Sequence, residues 1–113
     1  MGEMKKNIDD VQETMKVLSK EERETMHNFR KLENSVLEGG VLDTKTKELI
    51  ALGTAITARC KYCIGIHVQK SLAAGATKEE ILEAAAVAIL MGGAPAMTYV
   101  TEVRKSLEEF RAK

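Results

Sequence analysis

The residues best suited to chemistry in this chain are gathered in one run, Cys60-Lys61-Tyr62-Cys63-Ile64-Gly65-Ile66-His67. On a helix, offsets of 0, 3 and 7 fall within a narrow arc. Both sulfurs and the imidazole therefore share one face if the helical turn reaches back to Cys60. Cys63 and His67 form an i, i+4 pair whose side chains can touch. The thiolate is the reactive form of cysteine, and it is favoured at a helix N-terminus and beside an imidazole. Cys63 is placed to have both. Cys60, one turn away, can close a disulfide after the first sulfur is oxidised, and His67 can take the thiol proton and pass it on.

Glu48 lies twelve residues before Cys60, on what reads as the preceding helix. At about 1.5 Å per residue that is roughly 18 Å along the axis, of which a fourth helix folding back antiparallel returns about 10 Å by His67. The long Glu side chain and one water would span the rest, giving a relay Glu48–water–His67–Cys63. The same residues admit plainer readings. Free cysteines pack like small hydrophobes. Cys60, Cys63, His67 and a carboxylate could hold zinc, although a single helical turn would supply nearly all the ligands and His27 stands alone, far off in sequence. Glu48 could be a solvated charge on a helix surface, and Tyr62 reads as packing rather than catalysis.

Helices must position these groups. Ala, Leu, Glu, Lys and Met dominate, apolar residues do not alternate, and there is one proline. Ile8, Val11, Met15 and Leu18 form one helical stripe. Ser19-Lys-Glu-Glu22 reads as a capping box opening a second helix to about residue 37, with Met26, Phe29, Leu32, Val36 and Leu37 inward, stopped by Gly39-Gly40. Asp43 reads as the N-cap of a third helix to about residue 59. Its broad face is Leu49, Ile50, Leu52, Ala55 and Ile56, with Gly53 marking a close approach. A fourth helix starts between residues 60 and 62 and ends near Gly75. Thr77 and Glu80 form a second capping box for a fifth helix over 78–91, which Gly92-Gly93 ends. Pro95 suits the first turn of a last helix to about residue 111. The fifth helix is alanine-rich and apolar on nearly all sides after Glu83, which points to a subunit interface or, more plainly, to a central helix wrapped by its own neighbours. The expected fold is all-α, about six helices in a single domain over residues 1–113.

Bulk properties narrow the function. The chain has 113 residues, 44% hydrophobic and 30% charged, a soluble globular balance. Lys plus Arg and Asp plus Glu both number 17, aromatics are 4% and Trp is absent, so neither a basic footprint nor a stacking platform for nucleic acid is expected. No apolar run follows Met1, and the sixth residue is not the Ser or Thr of a myristoylation motif. The uncharged stretch from Ala84 to Thr101 is interrupted by Gly92, Gly93 and Pro95, so no membrane span is expected. A cytoplasmic location follows as an expectation. There, two cysteines three positions apart point to redox or metal chemistry more than to a structural disulfide.

Glu48, eleven residues, Cys60, two residues, Cys63, three residues, His67: this pattern resembles that of the AhpD-like alkylhydroperoxidases of the carboxymuconolactone decarboxylase superfamily. The wording around it is similar too, in Lys47-Glu48-Leu49-Ile50-Ala51-Leu52 before the motif and Gly75-Ala76-Thr77-Lys78-Glu79-Glu80-Ile81 after it. The resemblance spans about residues 43–97. It implies an all-α fold and homo-oligomers, trimers or hexamers. It also implies roles: Cys63 becomes the sulfenic acid, Cys60 donates a proton and closes the disulfide, and Glu48 and His67 relay protons. The implied activity is a thiol-dependent peroxidase or disulfide reductase in antioxidant defence, acting on a peroxide or a disulfide. A peroxiredoxin or a dihydrolipoyl or other thiol reductant is the implied partner, and no metal, haem or flavin is required. Tyr62 stands where the best-studied AhpD proteins carry a histidine, so thiol exchange carries over more fully than a full peroxidase rate. Two rivals remain: a lactone or carboxylic-acid decarboxylase-type enzyme with His67 as base, and a non-catalytic module, either an oligomeric scaffold or a zinc-binding one. The superfamily's true decarboxylases lack the cysteine pair.

Overall fold

A computed structural model describes residues 2–111. Among these, five helices follow one another: α1 (Glu3–Glu21), α2 (Arg23–Leu37), α3 (Thr44–Ala58), α4 (Lys61–Ala73) and α5 (Lys78–Arg111). The core lies between α3, α4 and α5, where Leu52, Ile56, Ile64, Val68, Ile81 and Val103 are fully buried.

α1 lies across α4. Met4 is fully buried, and a β-carbon at Gly65 of α4 would stand 3.0 Å from its Cε, so the missing side chain at Gly65 is what lets α1 approach. Gly2 has no side chain to cap α1. Glu109, near the end of α5, supplies the acceptors instead: the Met4 and Lys5 amides donate to its carboxylate oxygens at 2.8 and 3.0 Å.

The expected capping box at Ser19 does not form. α1 continues to Glu21 because the Glu22 amide donates to the Leu18 carbonyl at 2.7 Å, carrying the helical ladder through the predicted start. The Ser19 hydroxyl accepts from Arg30 Nη2 at 3.2 Å. The apolar stripe of α2 also differs from its expected inward placement. Phe29, Leu32 and Val36 are exposed, Leu32 by 58%, because α2 packs on α1 and α3 and leaves that face uncovered within one chain.

The caps read at Asp43 and at Thr77 with Glu80 form as expected. Asp43 accepts from the Thr46 amide at 2.8 Å. The Thr77 amide donates to Glu80 at 2.9 Å, and the Glu80 amide to the Thr77 hydroxyl at 3.1 Å. The two expected last helices form and together make up α5, divided by a kink where Gly93 leaves helical geometry (φ 71°, ψ −159°). A β-carbon at neighbouring Gly92 would lie 2.7 Å from that of Ala96, so the corner needs both glycines. Counted end to end, α5 is long and apolar enough by composition to cross a membrane, but the interruption expected at Gly92, Gly93 and Pro95 is present at Gly93. The bend divides it, and Ile81, Ala85, Ala88, Ala96, Val103 and Leu107 are buried in the core.

Candidate redox site

The site is built at the turn between α3 and α4. α3 ends in a Schellman motif: the Arg59 amide donates to the Ile56 carbonyl at 3.0 Å and the Cys60 amide to Ala55 at 3.1 Å. Arg59 takes the left-handed conformation this requires, with φ 61°. The chain thus reverses in two residues and α4 starts at once.

Cys60 is the N-cap of α4, and its sulfur accepts from the Cys63 amide at 3.2 Å. Cys60 and Cys63 are joined by a disulfide, with their Cα atoms 5.3 Å apart, inside the usual range for such a bond. The sequence reading gave the helix N-terminus to Cys63. The structure puts both sulfurs in the first turn, with the direct amide contact at Cys60.

Glu48 and His67 meet directly, Oε1 to Nδ1 at 2.7 Å. The expected bridging water is not needed. The axial count had left the gap to the glutamate alone, and the imidazole reaches across from α4 as well. Glu48 is no solvated surface charge either: its side chain is 5% exposed and that of His67 19%. A buried carboxylate needs such a partner. Because a carboxylate can only accept, hydrogen-bonding logic assigns the proton to Nδ1. In the neutral ring Nε2 then carries the lone pair that can receive a proton.

Cys60, Cys63 and His67 open together on a cavity of about 660 Å³. Its other walls come from α3, along a stripe from Lys47 to Ala58, and from Val36 and Leu37 at the end of α2. The structure therefore brings Cys60, Cys63 and His67 to one cavity, with Glu48 behind His67. Sequence reasoning missed the lining. The signal was present as the spacing of Lys47, Ile50, Ala51, Thr54 and Ala58, one face of α3 beside the face that enters the core. Tyr62 neither packs in the core nor lines the cavity. It is 44% exposed, with the Lys61 ammonium 5.4 Å from its ring centre. His27 is exposed on α2. The two sulfurs are bonded to each other, and among the described residues no three His, Cys, Asp or Glu side chains gather as a metal site.

Comparison with known proteins identifies the family. Residues 23–105 match the model of the carboxymuconolactone decarboxylase family. The chain is 37% identical to a carboxymuconolactone decarboxylase family protein of Legionella pneumophila, whose crystal structure gives a TM-score of 0.92 with 95% of this chain and 96% of that chain covered. A Thermotoga maritima protein of the same family, described with a possible part in the antioxidative response, is 31% identical with a TM-score of 0.83, covering 95% and 91% of the two chains. An uncharacterized protein of the cox locus of Paracoccus denitrificans is 37% identical over 81 residues, 72% of this chain and 73% of that one. With the family match spanning most of its length and relatives this similar over most of theirs, the chain belongs to the carboxymuconolactone decarboxylase family.

Proposed function

We propose that this chain, acting as one domain over residues 1–113, is a thiol-dependent peroxidase or disulfide reductase of antioxidant defence, with Cys63, Cys60, His67 and Glu48 as its working residues. The carrying observation is a Cys60–Cys63 disulfide that opens, with the His67 imidazole, on one cavity, while buried Glu48 holds the other side of that ring. Nε2 of His67 accepts the Cys63 thiol proton. The thiolate attacks a hydroperoxide; the O–O bond breaks, Cys63 becomes sulfenic acid, and the departing alkoxide takes a proton to leave as the alcohol. The Cys60 thiol then displaces water from the sulfenic acid and the disulfide forms. A dithiol, such as a dihydrolipoyl group, reduces it by two exchange steps and leaves as its own disulfide. The start of α4 supports the chemistry, since a helix N-terminus favours sulfur in its anionic form.

Assembly belongs to the same reading. Val87, Leu90, Met91 and Met97 expose apolar surface on α5, Leu90 by 81%. This surface would be covered in a trimer or hexamer working in the cytoplasm. The partners are a peroxiredoxin or a thiol reductant.

The test is direct. The reduced protein, treated with one equivalent of cumene hydroperoxide, should lose two thiols per chain without forming a covalent dimer. It should consume peroxide continuously when dithiothreitol is supplied, and Cys63→Ser should abolish that turnover. Retention of both thiols after treatment with peroxide and with a small disulfide removes the proposal.

A further inference from the structure

The cavity before the cysteines is apolar along most of its length and carries a cation at one end. Ile50, Ala51, Thr54, Ala55 and Ala58 of α3 form its wall, and Lys47 begins the same stripe. At about 1.5 Å per residue, Lys47 stands roughly 16 Å from Ala58 along the helix. Ala58 adjoins the turn that carries Cys60, so the cation and the start of the cysteine turn mark the two ends of the stripe. Val36 and Leu37 face it from α2.

The state of Lys47 is informative. Its Nζ donates to the Glu38 carbonyl at 2.7 Å, a neutral acceptor at the end of α2. Among the described residues no carboxylate lies within 4.0 Å of it, whereas Lys45 and Lys70 nearby are each paired with a glutamate. An ammonium has three donors, so two remain to be used. A half-buried cation with spare donors at the end of an apolar trough complements an anion carried on a hydrocarbon.

We infer that this cavity takes a hydrocarbon chain ending in a carboxylate, with the chain along α3 and the carboxylate on Lys47. Resting on the peroxidase reading for its reacting end, the inference names the substrate class as long-chain acid hydroperoxides. The peroxy group lies toward the cysteines, where the bonds change as described above. Lys47 makes or breaks no bond; it sets the preference for an acid over its ester.

Two measurements test this and separate it from the peroxidase reading. The first is calorimetric binding of decanoate and of decanol to the oxidised protein, which needs no turnover. The ratio of their affinities should fall about five- to tenfold in Lys47→Gln, the range for one partly exposed charge-assisted contact. It should be kept in Lys47→Arg, and melting curves should show both variants folded. The second is turnover of linoleic acid hydroperoxide against its methyl ester with dithiothreitol. The acid-to-ester ratio of kcat/KM should fall by the same factor in Lys47→Gln, through KM. If decanoate fails to bind the parent, or the affinity ratio is the same in Lys47→Gln, the inference is overturned even if peroxide is consumed. Lys47-dependent decanoate binding with no consumption of either hydroperoxide supports the anion site and removes the peroxidase reading.

Discussion

Replacing Glu48 by Gln isolates what a buried carboxylate does for His67. The volume is kept, and a charge and part of the acceptor capacity are lost. The 2.7 Å contact to Nδ1 is almost shielded from water, so solvent restores little of it. Hydrogen bonds to charged groups contribute about 1.5–3 kcal/mol. Gln can accept through its carbonyl, but its buried NH2 then lacks a partner, and a net loss of about 1.5–2.5 kcal/mol is expected. For a chain of this length, an unfolding entropy of about 2.1 cal/mol/K per residue turns this into a fall of roughly 6–10 °C in Tm. The chemical effect is separate. A carboxylate fixes the proton on Nδ1, whereas Gln can also turn its amide to the ring and move that proton to Nε2. The fraction of molecules in that state has no lone pair to take the Cys63 proton. A positioned general base commonly contributes about 10²–10⁴ in rate, so a partly misplaced proton should slow Cys63 by about tenfold or more. The assay is iodoacetamide alkylation across the neutral range in a Cys60→Ser background, with thermal melts by circular dichroism. Slower alkylation with an unaltered Tm would locate the effect in chemistry alone. A Tm within about 2 °C of the parent and an identical alkylation profile would refute the reasoning.

Other outcomes follow from contacts further away. Lys45 Nζ lies 3.0 Å from Glu80 and ties α3 to the start of α5. The Thr77 amide, and then Lys45, hold the Glu80 carboxyl below its ordinary value of 4.5, so its contribution is complete above that value and is lost as pH falls through the lower folded one. The stability difference between the parent and Glu80→Gln should therefore narrow below pH 4.5, and melts showing a constant difference down to the acid limit would contradict this. Arg59→Gly removes a β-carbon from a left-handed residue (φ 61°) and should stabilise the turn by about 0.5–1 kcal/mol; a lower Tm would show that the Arg59 side chain matters more than its backbone. Leu90→Glu should shift the assembled species toward single chains in light scattering, and a parent already at 12.4 kDa would remove the oligomer from the proposal.

Local signals were legible in the sequence, and signals that depend on what lies opposite were not. The caps at Asp43 and at Thr77 with Glu80 formed because each is closed within four residues. Ser19 offered the same pattern and failed, since one ladder bond from Glu22 to Leu18 carries the helix past it. The period of α2 showed that one face is apolar but not that the rest of the chain leaves it bare. Spacing brought Cys60, Cys63 and His67 to one side of α4, and helix reversal brought Glu48 near them. The direct contact depended on the reach of two side chains across a helix pair, which no axial count contains. Met4 was missed because its seat at Gly65 is sixty-one positions away and is made by an absent side chain. Lys47 was missed because a lysine on a helix normally reads as solvated, and only the cavity shows what it faces.

The carboxylate of Glu109 at the start of α1 has a consequence for how the molecule opens. Helix ends ordinarily fray first, and their amide hydrogens exchange with solvent at nearly the rate of an unfolded chain. Here the first turn of α1 takes its acceptors from the far end of the sequence, so neither end can fray alone. The Met4 and Lys5 amides should exchange together with those around Glu109, as one cooperative unit. Met4 rests on Gly65, two residues from Cys63 on α4. Loosening of the last turn of α5 should therefore reach the helix that carries the sulfurs, and exchange at Met4, Lys5 and Glu109 is expected to report on the stiffness of that helix.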